Sequence, residues 1–427
     1  MNEVRGSDTF DVVVAGGGPA GAAAATFIAR KGLAVALLEG RAGGARDTGG
    51  SLLPQIWRFL DELGVSDQVA SAGFMKKPGV TALWDGVARQ FQFSWFGHSR
   101  MAVIVERARF DDLLRAHAAK SGVEVLDGTR VLSAIVNESG VEVDAETCQG
   151  AALTLRGRFL VGATGNAPLH GLSAENARRA VGGNELAYLS GRFRGGQVIL
   201  PGGAIVPHPI LSGAPREATS YMCATPDGWA LQLPITNGSE VSVAVPRRTL
   251  PEDVSKQKDM RFLEATATVP MFDVLLKDAA FEPGSGSCQS DVAHQAVRFA
   301  GTRYVLVGDA AAYADPIFAH GVQFALFSAF IAAHEVAHAV ARNRDHVSER
   351  YDHLLRQHHQ MSKIMALGEI DKNRAAIDLL RGMPQRERDL LFTSAVIAGR
   401  ATHFEALAER SGVTGTPQFQ LLEAPPW

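Results

Sequence analysis

Cysteine is scarce in this chain: three residues in 427, Cys148, Cys223 and Cys288, with no C-x-x-C pair. That excludes a disulfide framework and a cysteine-rich zinc module, and it fits a reducing compartment. Net charge is equally slight. Forty-two Lys and Arg against 45 Asp and Glu leave -3, so no basic field exists to draw in nucleic acid. Internal repeats and low-complexity tracts are missing. The first residues, Met1 to Asp8, are polar and lack the apolar core of an export signal, so a cytoplasmic protein is the expectation. No long uninterrupted apolar run stands out either. The most apolar stretch, Val12 to Ala29, carries four glycines and a proline and divides into a strand and a helix start. It reads as a buried unit of a soluble fold, with no membrane partner.

What is present is ordinary in bulk, 46% hydrophobic and 20% charged, and long enough for two or three structural units. The information lies in two segments almost three hundred residues apart. In the first, Phe10 to Ala15 is a β-branched run of the kind buried in a parallel sheet. Gly16-Gly17-Gly18-Pro19-Ala20-Gly21 follows and opens an alanine-rich helix, and Leu33 to Glu39 is a second buried strand. This is the context that a G-x-G-x-x-G needs in order to mean a dinucleotide cradle. Gly16 permits the tight turn, Gly18 lets the backbone approach a pyrophosphate, and Gly21 allows close helix–strand packing. Pro19 and Ala20 begin the helix, whose free N–H groups face the phosphates. Glu39 would accept hydrogen bonds from ribose hydroxyls and repel a 2'-phosphate.

The second segment chooses between NAD and FAD. A strand ending at Gly308-Asp309 and opening a helix puts a carboxylate where a ribityl hydroxyl or the diphosphate can meet it. After Asp315-Pro316, Gly321 and Val322 begin a further helix whose amides could face the electron-rich edge of a reduced flavin. Asp315 is alternatively no more than a helix cap. The expected cofactor is FAD, held by a discontinuous domain.

The expected fold is α/β: a Rossmann-type FAD-binding domain with an antiparallel β-sheet substrate domain and a helical C-terminal region. The FAD-binding parts are assigned to residues 1–72, 101–183 and 291–345. Residues 73–100 are a substrate-domain insertion, 184–290 the sheet domain, and 346–427 the helical region.

Taken together, the Gly16 cradle, Val105-x-Arg107-x-x-Phe110-Asp111-x-x-Leu114, Ala163-Thr164-Gly165, and Gly308-Asp309-Ala310-Ala311 with Asp315-Pro316 and Gly321 resemble the FAD-dependent aromatic monooxygenases over roughly residues 9 to 340. The resemblance implies FAD contacts for Arg107 and for the backbone near Val131. One departure is Gly162, where the family's Asp-Ala-Thr-Gly has its acid.

Within that group the likeness to flavin-dependent halogenases is closer. Gly49-Gly50-Ser51-Leu52-Leu53-Pro54 is similar to their G-E-S-L-L-P, with Gly50 for Glu. The run from Gly73 to Trp84 puts Lys77 at the halogenase lysine, and Asp315 to Val322 is similar to D-P-V-F-S-S-G-V, including Pro316 and Phe318. Two differences favour hydroxylation over halogenation. The W-x-W-x-I-P wall is Trp229-Ala230-Leu231-Gln232-Leu233-Pro234, with Leu231 for the second tryptophan, and His320 stands where a small serine precedes the glycine.

The resemblance implies a flavin C4a-hydroperoxide whose electrophilic distal oxygen is attacked by an electron-rich ring, a phenol or indole, with Lys77 and His320 as catalytic residues. Trp84, Trp229, Leu231, Pro316 and Phe318 would line the substrate pocket. The ring could belong to a small molecule or to a tryptophan of a partner polypeptide, as in tryptophylquinone maturation. Lys76 and Lys77 could equally be a solvated pair, and the tryptophans sheet core. No second G-x-G-x-x-G serves a nicotinamide, which leans toward a separate flavin reductase beside O2.

A rival from another class is His334-Glu335-Val336-Ala337-His338, the H-E-x-x-H of zinc hydrolases, with Glu349, His353, His358 and His359 downstream. It falls inside the flavin domain's own helix, so no metal is expected. A reductase of the geranylgeranyl-reductase type shares the fold as well, but the sheet segment has no strongly lipophilic stretch.

Overall fold

The computed structural model describes residues 9–41, 48–84, 86–96, 98–172, 178–180, 186–209, 216–226, 228–251, 257–289, 293–367, 381–384, 409, 412 and 420–421. For Trp84 and Phe318 the backbone alone is described. Most of the expected helical tail beyond residue 367, and positions 42–47 of the glycine-rich loop, lie outside the described residues.

The chain opens with β1 (Thr9–Ala15), α1 (Pro19–Ala29) and β2 (Val35–Glu39), then β3 (Gly49–Leu52) and α2 (Trp57–Leu63). A first excursion gives β4 (Met75–Lys77), β5 (Gly79–Trp84) and β6 (Val87–Gln92), and the chain returns through β7 (Ala102–Glu106) and α3 (Arg107–Lys120). Four strands follow: β8 (Glu124–Asp127), β9 (Thr129–Val136), β10 (Val141–Thr147) and β11 (Ala152–Gly162).

The parallel core runs β11-β1-β2-β8, with β9 and β10 hairpinned onto β11. Val12 to Val14 have no exposed surface, as strands inside a covered parallel sheet require, with α1 packed against β1, β2 and β11. Ala22 to Ala25 are just as buried, and their small size lets α1 lie close to its neighbours.

The middle of the chain supplies β12 (Arg178–Ala180), β13 (Leu186–Arg194), β14 (Ser220–Thr225), β15 (Gly228–Ile235) and β16 (Gly238–Pro246). Of these, β13 to β16 join β5 and β6 in one sheet in the order β13-β16-β15-β14-β5-β6. Its pairs are antiparallel except β14 with β5, where the two excursions of the chain meet in parallel. Alternation divides its faces. Leu189, Phe193, Tyr221, Val241 and Val243 pack with Phe262 and Phe272 into a closed core, where each large apolar side chain contributes roughly 1.5–3 kcal/mol. The opposite face, with Tyr188, Ser190, Trp229, Leu231 and Ser242, lines a cavity.

The last part returns to the first domain through β17 (His294–Ala296), β18 (Tyr304–Leu306) and β19 (Ala312–Tyr313), then α4 (Gly321–Ala341) and α5 (Glu349–Leu367). β18 joins the parallel core beside β11. Here the expectation needs correction. Gly308-Asp309 does not open a long helix but makes a single 3-10 turn, Gly308–Ala310, which Gly308 permits at φ +58°. The long helix begins at Gly321, as the sequence suggests. By length and composition α4 is the helix among the described residues that could cross a membrane. In this fold Phe324, Leu326, Ala329, Ala333 and Val336 are buried in the main core, and Phe330 meets Phe27 of α1 edge-on at 5.3 Å.

Candidate active site

The carboxyl ends of β1, β2 and β11 point toward the cavity face of the second sheet. Between them lies a cavity of about 630 Å³, within the range of small-molecule and cofactor sites. Its floor is the glycine cradle. Gly16 has φ +109°, and a Cβ there would meet the Ala163 carbonyl oxygen at 2.4 Å. Glu39 fastens this turn: one carboxylate oxygen accepts from Gly17 N at 2.8 Å and the other from Arg41 N at 2.9 Å. Gly16, Gly18, Pro19, Ala20 and Glu39 line the cavity. Gly21 and Gly308 do not. A Cβ on Gly21 would lie 1.8 Å from the Gly16 oxygen, and one on Gly308 would lie 2.9 Å from the Ala20 Cβ, so both are packing positions.

Arg107 and Val131 reach the same wall. The Arg107 guanidinium grips Asp111 with two bonds, Nε to Oδ1 at 3.0 Å and Nη2 to Oδ2 at 3.1 Å. Its stem runs so close to Gly50 that a Cβ there would sit 2.9 Å from Arg107 Cδ, so Gly50 leaves the space that Arg107 occupies. Burial raises the Asp111 carboxyl, and the Arg107 charge opposes that rise. Arg115 is buried beside it, donating to the Gly17 carbonyl at 3.3 Å.

Asp309 lies in the wall opposite, with Ala163, Thr164 and Gly165. Two side chains hold these turns from behind. Arg178 donates to the carbonyls of Gly165, Asn166 and Ala167, and His294 Nε2 lies 2.9 Å from the Asp309 carbonyl. Gly162, the departure from the Asp-Ala-Thr-Gly pattern, is packed under Leu306, whose Cδ2 would be 2.7 Å from a Cβ there.

The substrate end is bounded by Lys77, Trp229, Leu231, Pro316 and His320, with Gly321 and Val322 starting α4. Lys76 is exposed, whereas Lys77 keeps 4% of its surface and donates to Ser51 Oγ at 2.8 Å. Its ammonium also lies 5.7 Å from the Phe93 ring centroid. The solvated-pair reading therefore fails for Lys77. Burial alone pushes its pKa down to about 7, so both charge states are accessible near neutrality.

His320 is half-buried in the cavity wall, and desolvation carries its pKa down to about 4. It is therefore a neutral imidazole at working pH, a hydrogen-bonding group and a poor acid. Trp229 is both wall and core: 5% exposed, it leans on Tyr188 with centroids 5.7 Å apart.

Asp111, Ser51, Tyr188 and His359 join the site without having been expected there. Asp111 stands four residues after Arg107, on one helix face, and that spacing was its signal. Nothing local marks Tyr188 or His359. The zinc motif does not converge. His334 packs edge-on to Phe330 at 4.7 Å, His338 contacts Arg342, and Glu335 accepts from Ser348 N and Oγ. Among the described residues no three His, Cys, Asp or Glu side chains gather as metal ligands.

A dinucleotide cradle closed by a second sheet over a partly apolar cavity defines a nucleotide-cofactor protein of α/β fold. The chain belongs to the FAD-binding-domain family, whose model matches residues 9–362. Its curated relatives include a tryptophan 2-halogenase from Chondromyces crocatus, 29% identical over 350 residues, covering 79% of this chain and 63% of that protein. The flavin-dependent halogenase armH5 of Armillaria mellea is 29% identical over 338 residues, covering 75% and 63%. The chain thus spans a little under two thirds of the length of these two relatives. A 1H-pyrrole-2-carbonyl-(peptidyl-carrier protein) chlorinase from Pseudomonas fluorescens is 27% identical over 377 residues, covering 81% and 79%.

Among solved structures, the myxobacterial chondrochloren halogenase superposes with a TM-score of 0.73 at 25% identity, over 95% of this chain and 97% of that one. The p-nitrophenol 4-monooxygenase of Pseudomonas putida shares the fold, with a TM-score of 0.64 at 15% identity over 94% and 98%.

The cofactor is FAD, and the residues present fit it. No atom lies within 4 Å of a Cβ placed on Gly18 or Gly321, so at both positions backbone can be approached closely. Arg107, Val131 and Asp309 line the length between them.

Proposed function

We propose that this chain is a flavin-dependent halogenase acting on an electron-rich aromatic ring, a phenol, pyrrole or indole. The observation that carries the reading is Lys77, a buried ammonium in the cavity wall at the position where the sequence resembles the halogenase lysine. The relatives support it, since all those described above by sequence are halogenases or a chlorinase by name. Reduced FAD supplies the activation of O2. The protein's own residues do the rest. Phe93, Met222, Trp229 and Leu231 offer the ring an apolar wall that excludes water. Lys77, held by Ser51, presents N–H donors toward the transferred group. A separate reductase supplies the electrons, since the sequence has one G-x-G-x-x-G.

Hydroxylation of the same class of ring is the second reading, and two residues favour it. Leu231 makes a lower wall than tryptophan, and the neutral His320 takes the place of a small serine. That lower wall would also admit a ring presented on a partner polypeptide, including a tryptophan side chain. The chlorinase relative is named for a carrier-bound substrate.

Supplying reduced FAD, O2 and bromide with free and carrier-linked indoles, phenols and pyrroles, then reading product masses, decides between them. A brominated product that disappears in Lys77→Ala while FAD still binds supports halogenation. An oxygenated product formed equally well without halide replaces it with hydroxylation.

A further inference from the structure

We propose that Tyr188 is a positioning residue that fixes the start of α4 against the substrate wall, through Asp315. Tyr188 belongs to the second sheet, and Asp315 to the loop that leads into the cofactor-facing helix. The Tyr188 hydroxyl donates to Asp315 Oδ2 at 2.8 Å, while Asp315 Oδ1 accepts from Ile317 N at 2.8 Å. One carboxylate therefore caps its own turn and ties it to the opposite sheet.

The sheet register shows why the tie reaches the wall. Tyr188 stands opposite Ala244, and Ala244 opposite Trp229, so the two rings flank a small residue and lean together over it. Ile317 packs against this cluster and also against Val80, Phe91 and Met222. Beyond Ile317 the loop turns through Ala319 at φ +55°, a conformation that a non-glycine residue holds only when its surroundings impose it. His320 and Gly321 follow at once. The hydroxyl thus sets the distance between Trp229 and the N-terminus of α4, between which substrate and reactive flavin edge must meet.

The catalytic consequence rests on the aromatic-substitution reading above; the structural one does not. Tyr188→Phe removes one oxygen and keeps the ring packing. In the FAD-loaded variant, amide hydrogen exchange across residues 315–322 is expected to rise at least tenfold, with β1 and α1 unchanged. Turnover should fall five- to twentyfold with KM within twofold, because the ring still binds but meets the oxidant out of register, and the fraction of O2 released as peroxide should rise.

Asp315→Ser is the independent variant. Its hydroxyl can still cap Ile317 N, but it lacks the second oxygen. It should reproduce both effects, and the double variant should be no worse than either single one. Unchanged exchange at 315–322 in Tyr188→Phe, or full additivity in the double variant, overturns the proposal. Wild-type protein that yields no product from any aromatic ring sinks the functional reading instead, and leaves the exchange measurement to decide on Tyr188.

Discussion

Lys77 donates to Ser51 across 2.8 Å inside the wall of the cavity, and burial brings its pKa to about 7 from an ordinary 10.5. Between those two values the unfolded chain holds a proton that the folded chain has lost, so stability rises with pH across that window. Below pH 7 the whole cost of burying the charge is present, roughly 5 kcal/mol. Lys77→Met should therefore abolish turnover and stabilise the FAD-free fold at pH 6 by several kcal/mol. That margin should shrink toward pH 10. Urea denaturation at pH 6, 8 and 9.5 measures it; a margin independent of pH would mean that the ammonium is solvated.

The Arg107–Asp111 pair has the opposite dependence. Burial raises the Asp111 carboxyl and Arg107 holds it down, so removing Arg107 leaves a buried acid that ionises at a cost. For a raised carboxyl, stability is lost as pH climbs from the unfolded value through the folded one. Arg107→Ala should be nearly as stable as wild type at pH 4.5 and about 3 kcal/mol weaker at pH 8. FAD affinity should fall with it, since Arg107 lines the cavity. Denaturation at the two pH values, beside a flavin titration, checks both expectations.

The cradle was legible because its rules are local. A tight turn, a close approach and a helix start each need a residue type at a fixed offset, and Gly16 to Gly21 supplies them in sequence. The start of α4 at Gly321 was legible for the same reason. The role of Gly308 is not legible locally, because a glycine that makes room for Ala20 and one that lines a cofactor site look alike in a sequence. Tyr188 could not be found at all. Its partner is 127 residues away, and the tie exists only once β13 is paired with β16. The same holds for the sheet's parallel junction of β14 with β5, which no local pattern encodes.

Glu335 illustrates how tertiary contacts reassign a motif. Its carboxylate accepts from Ser348 N at 3.1 Å and from Ser348 Oγ at 2.7 Å, at the entry to α5. Glu335→Ala should therefore cost about 1–2 kcal/mol by loosening the start of that helix. Turnover should be untouched by chelators in both proteins, and metal content should not change. A stoichiometric zinc lost in the variant would restore the hydrolase reading.

Two glycines three residues apart separate folding from binding. Gly18 has φ -68°, which alanine adopts freely, and no atom lies within 4 Å of its added methyl. Gly18→Ala should leave the FAD-free protein within about 1 kcal/mol of wild type. Its methyl nevertheless stands where a pyrophosphate must approach, so FAD affinity should fall about 10- to 100-fold, or about 1.4–2.7 kcal/mol. Gly21→Ala places a carbon 1.8 Å from the Gly16 oxygen, a backbone atom that cannot move without opening the turn. That variant should lose the fold of the first domain, with flavin binding lost as a result. Thermal unfolding without cofactor distinguishes the two substitutions, and a flavin titration completes the comparison. Wild-type affinity in Gly18→Ala would move the phosphates off this loop and onto another part of the cavity.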